Sequence, residues 1–412
     1  MPPRILLADA DAFYVSVARL LDPEGAGKEP LLIVGGSAEG RGVVTSASYE
    51  ARAFGVTSAM PMARAIRLCP KAMIVPVPFE YCGQKSREIK EVLGRFAPVV
   101  EQASSDEFYL DMSGTERLYK EEPLAETTRR MRQAVKDETK LSVSIGGGTS
   151  RLVAKLAAGV AKPPVGRKPR PGDPDGVFIV EPGGEGEFMR RFQLADIPYV
   201  GKRFTERLLR WNLRTVDEAL AAGPDRLRDW LGEREGMWLW DKVRGIDSHV
   251  VTHSSDAKSI SRDETFSLDI DDDDLLKAEL LKLVDRAAAD LRDDEMMART
   301  ITVRLRDFDF VDRQASKTVE SPVISDRAIL RVARELLKRL RTAREVPARL
   351  LGVGLGGLVR DEGPVQLSLL ESGPPASESE QDRGVARVVD QLRERLGDDA
   401  VALGRKPGRR RR

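Results

Sequence analysis

The order of apolar and polar positions divides the first part of the chain into short strands and amphipathic helices. An unbroken apolar run at residues 5–8 reads as a buried strand, and the polar break at Asp9 passes the chain to a helix ending near residue 21. Apolar runs at 31–34 and 43–46 predict two more strands, the first closed by Gly35 and Gly36. Residues 63–68 have helical spacing and must stop before Pro70. A strand at 74–76 precedes a helix over 81–96 with Lys85, Arg87 and Lys90 on its polar side. Segments 99–102 and 108–111 flank Ser104 and Ser105 as a hairpin, because serine suits a turn. A helix over 124–138 and a strand over 141–145 follow, and Gly146 to Gly148 read as the turn that opens a helix over 150–161. The order β-α-β-β-α-β, interrupted by a small insertion, is a split βαβ layout.

The second part starts at a Pro, Gly, Lys and Arg rich stretch, 162–176, that marks a boundary. A helical section follows, with a tight turn at 197–202, and then a polar linker over 242–258. Strands at 259–268, 300–305, 316–319 and 353–358 alternate with helices at 275–292 and 325–341, which makes an α+β domain. In the strand at 300–305 the polar side chains Thr300, Thr302, Arg304 and Arg306 share one face. That face fits either solvent or a phosphate backbone. Residues 366–370 form an apolar island before a Ser, Pro and Glu rich stretch, and a last helix at 383–396 ends in a basic tail.

At 412 residues the chain exceeds one ordinary domain, and a prior of about 150 residues per domain gives roughly two to four. Its net charge of +1 hides local asymmetry, with acidic runs at 271–274 and 293–295 set against basic runs at 327–344 and 405–412. A basic face, and not the sum of charges, decides whether a polyanion binds. Two cysteines without CxxC spacing and two histidines speak against structural zinc and fit a reducing cytoplasm. The N-terminus lacks a signal-peptide layout, and no stretch approaches the ~20 apolar residues of a membrane span.

Candidate chemistry begins with two adjacent carboxylates, Asp106 and Glu107, at a strand start. Successive strand residues point to opposite faces, so a shared centre requires the backbone to turn there. The pair fits a solvated turn or a cation site, and Asp9, at the end of another strand, adds a third hard oxygen ligand of the kind Mg²⁺ takes. Tyr49 and Arg52 stand one helical turn apart, and Arg52 and Lys162 are cations able to hold phosphate.

Five segments in order resemble the Y-family translesion DNA polymerases, in their DNA polymerase IV (DinB) branch. They are Asp9-Ala-Asp-Ala-Phe-Tyr14, Ser48-Tyr-Glu-Ala-Arg-Ala-Phe-Gly-Val56, Ser58-Ala-Met-Pro61, Ser105-Asp-Glu-Phe-Tyr-Leu-Asp111 and Ala161-Lys-Pro163. The resemblance implies an α+β multidomain right hand. Its ferredoxin-like palm would span 1–19 and 76–166, its small fingers 20–75 and its helical thumb 167–241. A linker at 242–257, an α+β little finger at 258–360 and a tail at 361–412 would complete it.

The resemblance also implies low-fidelity, template-directed synthesis past damaged bases by two-metal nucleotidyl transfer, without a proofreading exonuclease. Asp9, Asp106 and Glu107 would hold two Mg²⁺ ions, with the carbonyl of Ala10 joining the nucleotide-associated one. Tyr14 would be the steric gate against a ribose 2′-hydroxyl while Phe13 packs inward, and Ser46, Tyr49, Arg52 and Lys162 would grip the incoming dNTP. Gly201 and Lys202 of the thumb hairpin and Thr302, Arg304 and Arg306 of the little finger would meet primer-template DNA. Gln366, Leu367, Leu369 and Leu370 are similar to the peptide that docks on the bacterial sliding clamp. The implied protein is a cytoplasmic monomer. Two departures stand out: Tyr199 occupies a position where the hairpin pattern usually has glycine, and Gly146 to Gly148 replace a less glycine-rich segment. A nucleotidyl cyclase on a related palm, or a non-catalytic DNA-damage accessory protein of the same fold, are the alternatives.

Overall fold

A computed structural model describes residues 2–164, 175–253, 257–360, 378–397 and 400–401. The chain divides into two compact units, Met1–Ser255 and Asp256–Arg412.

In the first unit the strands are β1 Ile5–Ala10, β2 Leu32–Gly35, β3 Val44–Ala47, β4 Met73–Val75, β5 Val99–Gln102, β6 Glu107–Asp111, β7 Val143–Gly148 and β8 Val177–Ile179. Five of them form one sheet in the order β5-β6-β1-β7-β8, and the other three a smaller sheet in the order β3-β2-β4. β1 lies antiparallel between β6 and β7. This is the split βαβ order expected from the sequence, with the small sheet inserted after the first helix, Phe13–Leu21.

β1 is buried on both faces, and its alternation distributes the core. Leu6, Ala8 and Ala10 pack with Phe13, Phe108, Ile89 and Met131 on one side. Ile5 and Leu7 pack with Tyr109, Ala154 and Ala158 on the other, beneath the helix Arg151–Ala161. The three glycines do not open that helix. They extend β7, and the helix begins only after Ser150, whose side chain accepts the Val153 N–H at 3.2 Å. Close packing is the reason: a Cβ on Gly146 would stand 1.9 Å from the Ala158 nitrogen, so only glycine lets the helix backbone rest on the strand. β8 was not expected from the sequence. It lies in the stretch read as the start of the thumb and adds to the large sheet, parallel to β7.

Helices Lys202–Leu209, Val216–Leu231, which is kinked at Gly223, and Glu233–Val243 build a further core with Phe188, Leu194 and Ile197, shared with Leu152, Val153, Leu156 and Ala157 of helix Arg151–Ala161.

The second unit is a four-stranded antiparallel sheet of β9 Ser259–Ile270, β10 Met296–Asp307, β11 Asp312–Val323 and β12 Ala348–Arg360, ordered β11-β10-β12-β9. Each strand is longer than its sequence pattern suggested, because ladder hydrogen bonds carry the pairing past the apolar positions. Ile301, Val303 and Leu305 join the core with helices Asp273–Asp293 and Asp326–Ala343. Helix Glu380–Leu396 docks here through Arg292 to Asp390 and Arg393 to Asp285.

Candidate active site

The register of β1 against β6 makes Asp9 and Glu107 direct cross-strand partners. Partners of this kind project from the same face of a sheet, so two carboxylates far apart in sequence become neighbours. Their face is the one covered by helix Arg151–Ala161, which carries Lys155 and is closed by Lys162 seven residues on, two helical turns away. Lys162 Nζ lies 2.7 Å from Asp9 Oδ2, and Lys155 Nζ lies 2.7 Å from both carboxylate oxygens of Glu107. Burial is the main reason that Asp9 is pushed up to about 6; Lys162 opposes the rise, while Glu107 and Asp106 add to it.

Asp106 sits at the tip of the β5–β6 hairpin and does not continue the strand. Its carbonyl accepts the Ala10 N–H at 2.9 Å, which anchors the tip to the end of β1. The Ser104 hydroxyl donates to Asp106 Oδ1 at 2.6 Å and accepts the Glu107 N–H at 3.1 Å, a serine turn that supplies the bend required for neighbouring acids to serve one centre. Among the described residues no group of three or more His, Cys, Asp or Glu side chains is gathered closely enough to hold an ion. The carboxylates are instead answered by the Ser104 hydroxyl and the two ammonium groups.

Phe13 is 2% exposed and its ring meets Tyr14 edge-on at 5.3 Å between centroids. Tyr14 is half-buried and its hydroxyl is 2.9 Å from the Ser105 hydroxyl, so it reaches the acidic hairpin tip. The intervening Ala12 has φ 45°, a left-handed residue that turns the chain from β1 into the helix. Asp11 is buried and held by the Ser142 and Ser144 hydroxyls at 2.8 and 2.7 Å.

Tyr49 and Arg52 share one helical turn capped by Ser48. The Arg52 guanidinium lies 5.0 Å from the Tyr49 ring centroid, and its Nε donates to the Ala47 carbonyl at 2.9 Å. Burial, followed by the charge of Asp11, pushes the Tyr49 phenol up. Its hydroxyl lies in the field of Asp9 and Asp11 but makes no hydrogen bond of ordinary geometry. Ser46 is buried in β3, opposite Val34, and belongs to the small sheet that carries this turn.

Gly201 is the N-cap of helix Lys202–Leu209 and is exposed, as is Lys202. A cavity of about 410 Å³ is lined by Glu107, Tyr109, Arg151 and Lys155 on the sheet side and by Pro198 and Tyr199 from the thumb turn. In the second unit Thr302 hydrogen-bonds to Ser316 at 2.8 Å across the outer face. Arg304 lies 3.2 Å from Asp263, and Arg306 makes two bonds to Asp312 at 2.7 and 2.8 Å. Residues 366, 367, 369 and 370 lie outside the described residues.

Sequence reading gave Lys155 and Asp11 no role, and Ser105 only a place in the turn. Lys155 was visible only as one of several cations on a helix. Its closeness to Glu107 depends on how near the glycines of β7 allow that helix to come.

Two family models match the chain: the impB/mucB/samB family over residues 8–159 and the impB/mucB/samB family C-terminal domain over 257–369. A DNA polymerase IV of Dehalococcoides mccartyi strain CBDB1 is 32% identical over 402 residues, covering 98% of this chain and 97% of that protein. A DNA polymerase IV of Halorhodospira halophila is 36% identical over 357 residues, covering 86% and 95%. In fold, the chain is similar to a chimeric Y-family DNA polymerase built on Dbh, with a TM-score of 0.74, 23% identity, and 87% and 99% of the two chains covered. An insertion ternary complex of Dbh DNA polymerase has a TM-score of 0.60 at 24% identity over the same shares. The matches cover both units, and the chain belongs to the impB/mucB/samB family, the DinB branch of the Y-family DNA polymerases.

Proposed function

We propose that this DNA-directed DNA polymerase carries out low-fidelity translesion synthesis on primer-template DNA, with Asp9, Asp106 and Glu107 holding two magnesium ions. The observation that carries this reading is the cross-strand pairing of Asp9 with Glu107, each countered by a lysine ammonium 2.7 Å away. Carboxylate and carbonyl oxygens are the donors a hard divalent cation takes, so the three acids fit the group by the kind of ligand they offer. Lys155 and Lys162 now occupy the oxygens of Glu107 and Asp9 and would have to release them to the ions. The Ala10 carbonyl at the end of β1 is a further candidate ligand. When bound, such ions ease deprotonation of the primer 3′-hydroxyl and neutralise the departing pyrophosphate.

The remaining roles belong to the chain. Lys162 is about one-third exposed, so it can leave Asp9 for the triphosphate of an incoming dNTP. Arg52, fixed by the Ala47 carbonyl and the Tyr49 ring, offers its guanidinium as a second clamp, and Tyr49 offers a hydroxyl that makes no hydrogen bond of ordinary geometry. Ser46 contributes from the neighbouring strand. Tyr14, hydrogen-bonded to the hairpin tip through Ser105 and packed edge-on against Phe13, serves as the steric gate against ribose. Gly201, Lys202, Thr302, Arg304 and Arg306 meet DNA, with the two arginines exchanging their aspartates for phosphates. Gln366, Leu367, Leu369 and Leu370 dock on the sliding clamp of a bacterial cytoplasm, and the enzyme acts as a monomer. The named domain boundaries, from palm to tail, belong to this reading. No helix among the described residues is long and apolar enough to cross a membrane. The relatives reported above are DNA polymerases along most of their length, which leaves the cyclase and accessory alternatives without support.

Primer extension with magnesium tests the reading. The wild-type chain extends a primer, whereas Asp106→Ala and Glu107→Ala bind the same primer-template and do not extend it. Full extension by either variant would sink the assignment.

A further inference from the structure

Tyr199 is at odds with its own backbone. It has φ 72°, a left-handed conformation that is unfavourable for a bulky residue, and it is 86% exposed. Its neighbours account for the turn: Ile197 and Val200 are buried in the thumb core, and the Val200 N–H donates to the Ile197 carbonyl at 3.0 Å. They require a left-handed residue at 199, and glycine would meet that need without strain. A ring this exposed returns little packing to the fold. What it does instead is form one wall of the cavity that opens onto Glu107.

The other groups of that cavity are already committed. Lys155 is bonded to Glu107, Arg151 to Glu101, and Lys242 to Asp247. The Arg151 guanidinium also covers the Tyr109 ring at 4.0 Å from its centroid. Tyr109 and Tyr199 line the same cavity, the first from the sheet and the second from the thumb turn. With the cations paired internally, the uncommitted recognition element at the rim is a flat aromatic face with a hydroxyl. A flat face beside cations fits a nucleotide, in which an apolar sugar and base alternate with phosphate.

We propose that Tyr199 is a binding residue for the 3′-terminal segment of the primer strand, its ring lying against sugar and base as that end approaches Glu107. The inference rests on the polymerase reading of the site and adds a contact that a glycine at this turn could not make. A stacking contact releases few counterions, so it contributes to affinity without steepening the salt dependence.

The test uses the full chain as Tyr199→Gly, which relieves the backbone, and Tyr199→Ala, which keeps the strain and loses the ring. Tyr199→Gly should melt at or above the wild-type temperature. Both variants should bind a recessed primer-template roughly tenfold more weakly by fluorescence anisotropy, with an unchanged slope of log Kd against log salt. Their KM for DNA should rise more than kcat falls, and Tyr199→Phe should restore most of the affinity. Wild-type affinity in Tyr199→Gly overturns the proposal, and so does a salt slope shallower by about one, which would mean that the contact is to phosphate. The polymerase reading fails separately, if the wild-type chain extends no primer.

Discussion

Asp9→Asn should make the protein more stable while removing its activity. Burial holds the Asp9 carboxyl at about 6 against an ordinary 3.8, a rise of roughly 2 units. At about 1.4 kcal/mol per unit, ionising this group costs the fold about 3 kcal/mol at neutral pH. The sign follows from the direction. An acid whose folded pKa is raised binds protons more tightly in the folded state, so wild-type stability falls as pH rises from about 4 to 6 and is fully reduced above that window. Asparagine keeps the shape and carries no charge. Lys162 loses its partner, but its side chain is about one-third exposed and water takes over, so a net gain of about 2 kcal/mol is expected, roughly 4–8 °C for a unit of this size. Thermal melts in chelator at pH 8 and pH 4 read this directly: the variant should lead at pH 8 and merge with wild type at pH 4. A variant no more stable than wild type at pH 8, or one with an equal lead at both pH values, would refute the electrostatic argument. In the same preparations primer extension with magnesium should be lost, which would mark Asp9 as a charge kept for chemistry at a cost to the fold.

Gly146→Ala should be destabilising by about 3 kcal/mol or more, because the added Cβ meets helix backbone and not a flexible side chain; circular-dichroism melts would detect it, and a change under 1 kcal/mol would mean that the helix can shift. Tyr14→Ala should raise ribonucleotide incorporation roughly tenfold or more, since the hydroxyl-discriminating surface is lost; single-nucleotide insertion with dNTP and rNTP checks this, and an unchanged ratio would move the gate elsewhere.

Much of the candidate site was legible because its residues are polar at positions where the pattern demands apolar ones. Asp9 is the one charged residue, next to the end, of a strand that is buried throughout, and the acidic pair interrupts an alternating hairpin beside two serines. Those breaks are local and can be read without a fold. Less legible was anything that depended on how closely two elements approach. Gly146 to Gly148 looked like a turn because glycine usually punctuates, yet here it serves a helix pressed onto a strand. β8 escaped because three apolar residues gain their strand identity from pairing with β7.

By itself the sequence determined the kinds of element, their order, and the acids that break the apolar pattern, and local spacing and turn chemistry carry that information. The proposed roles of Tyr14, Tyr49, Arg52 and Lys162 came from the resemblance of their motifs. Tertiary structure decided the rest. The register of β1 against β6 set Asp9 beside Glu107, and glycine-permitted contact between β7 and its helix brought Lys155 and Lys162 to those acids. It also revealed that Tyr199 bears a left-handed backbone at the mouth of the same cavity. Strand register and helix approach are sums over many weak contacts between distant segments, and no single stretch of sequence holds them.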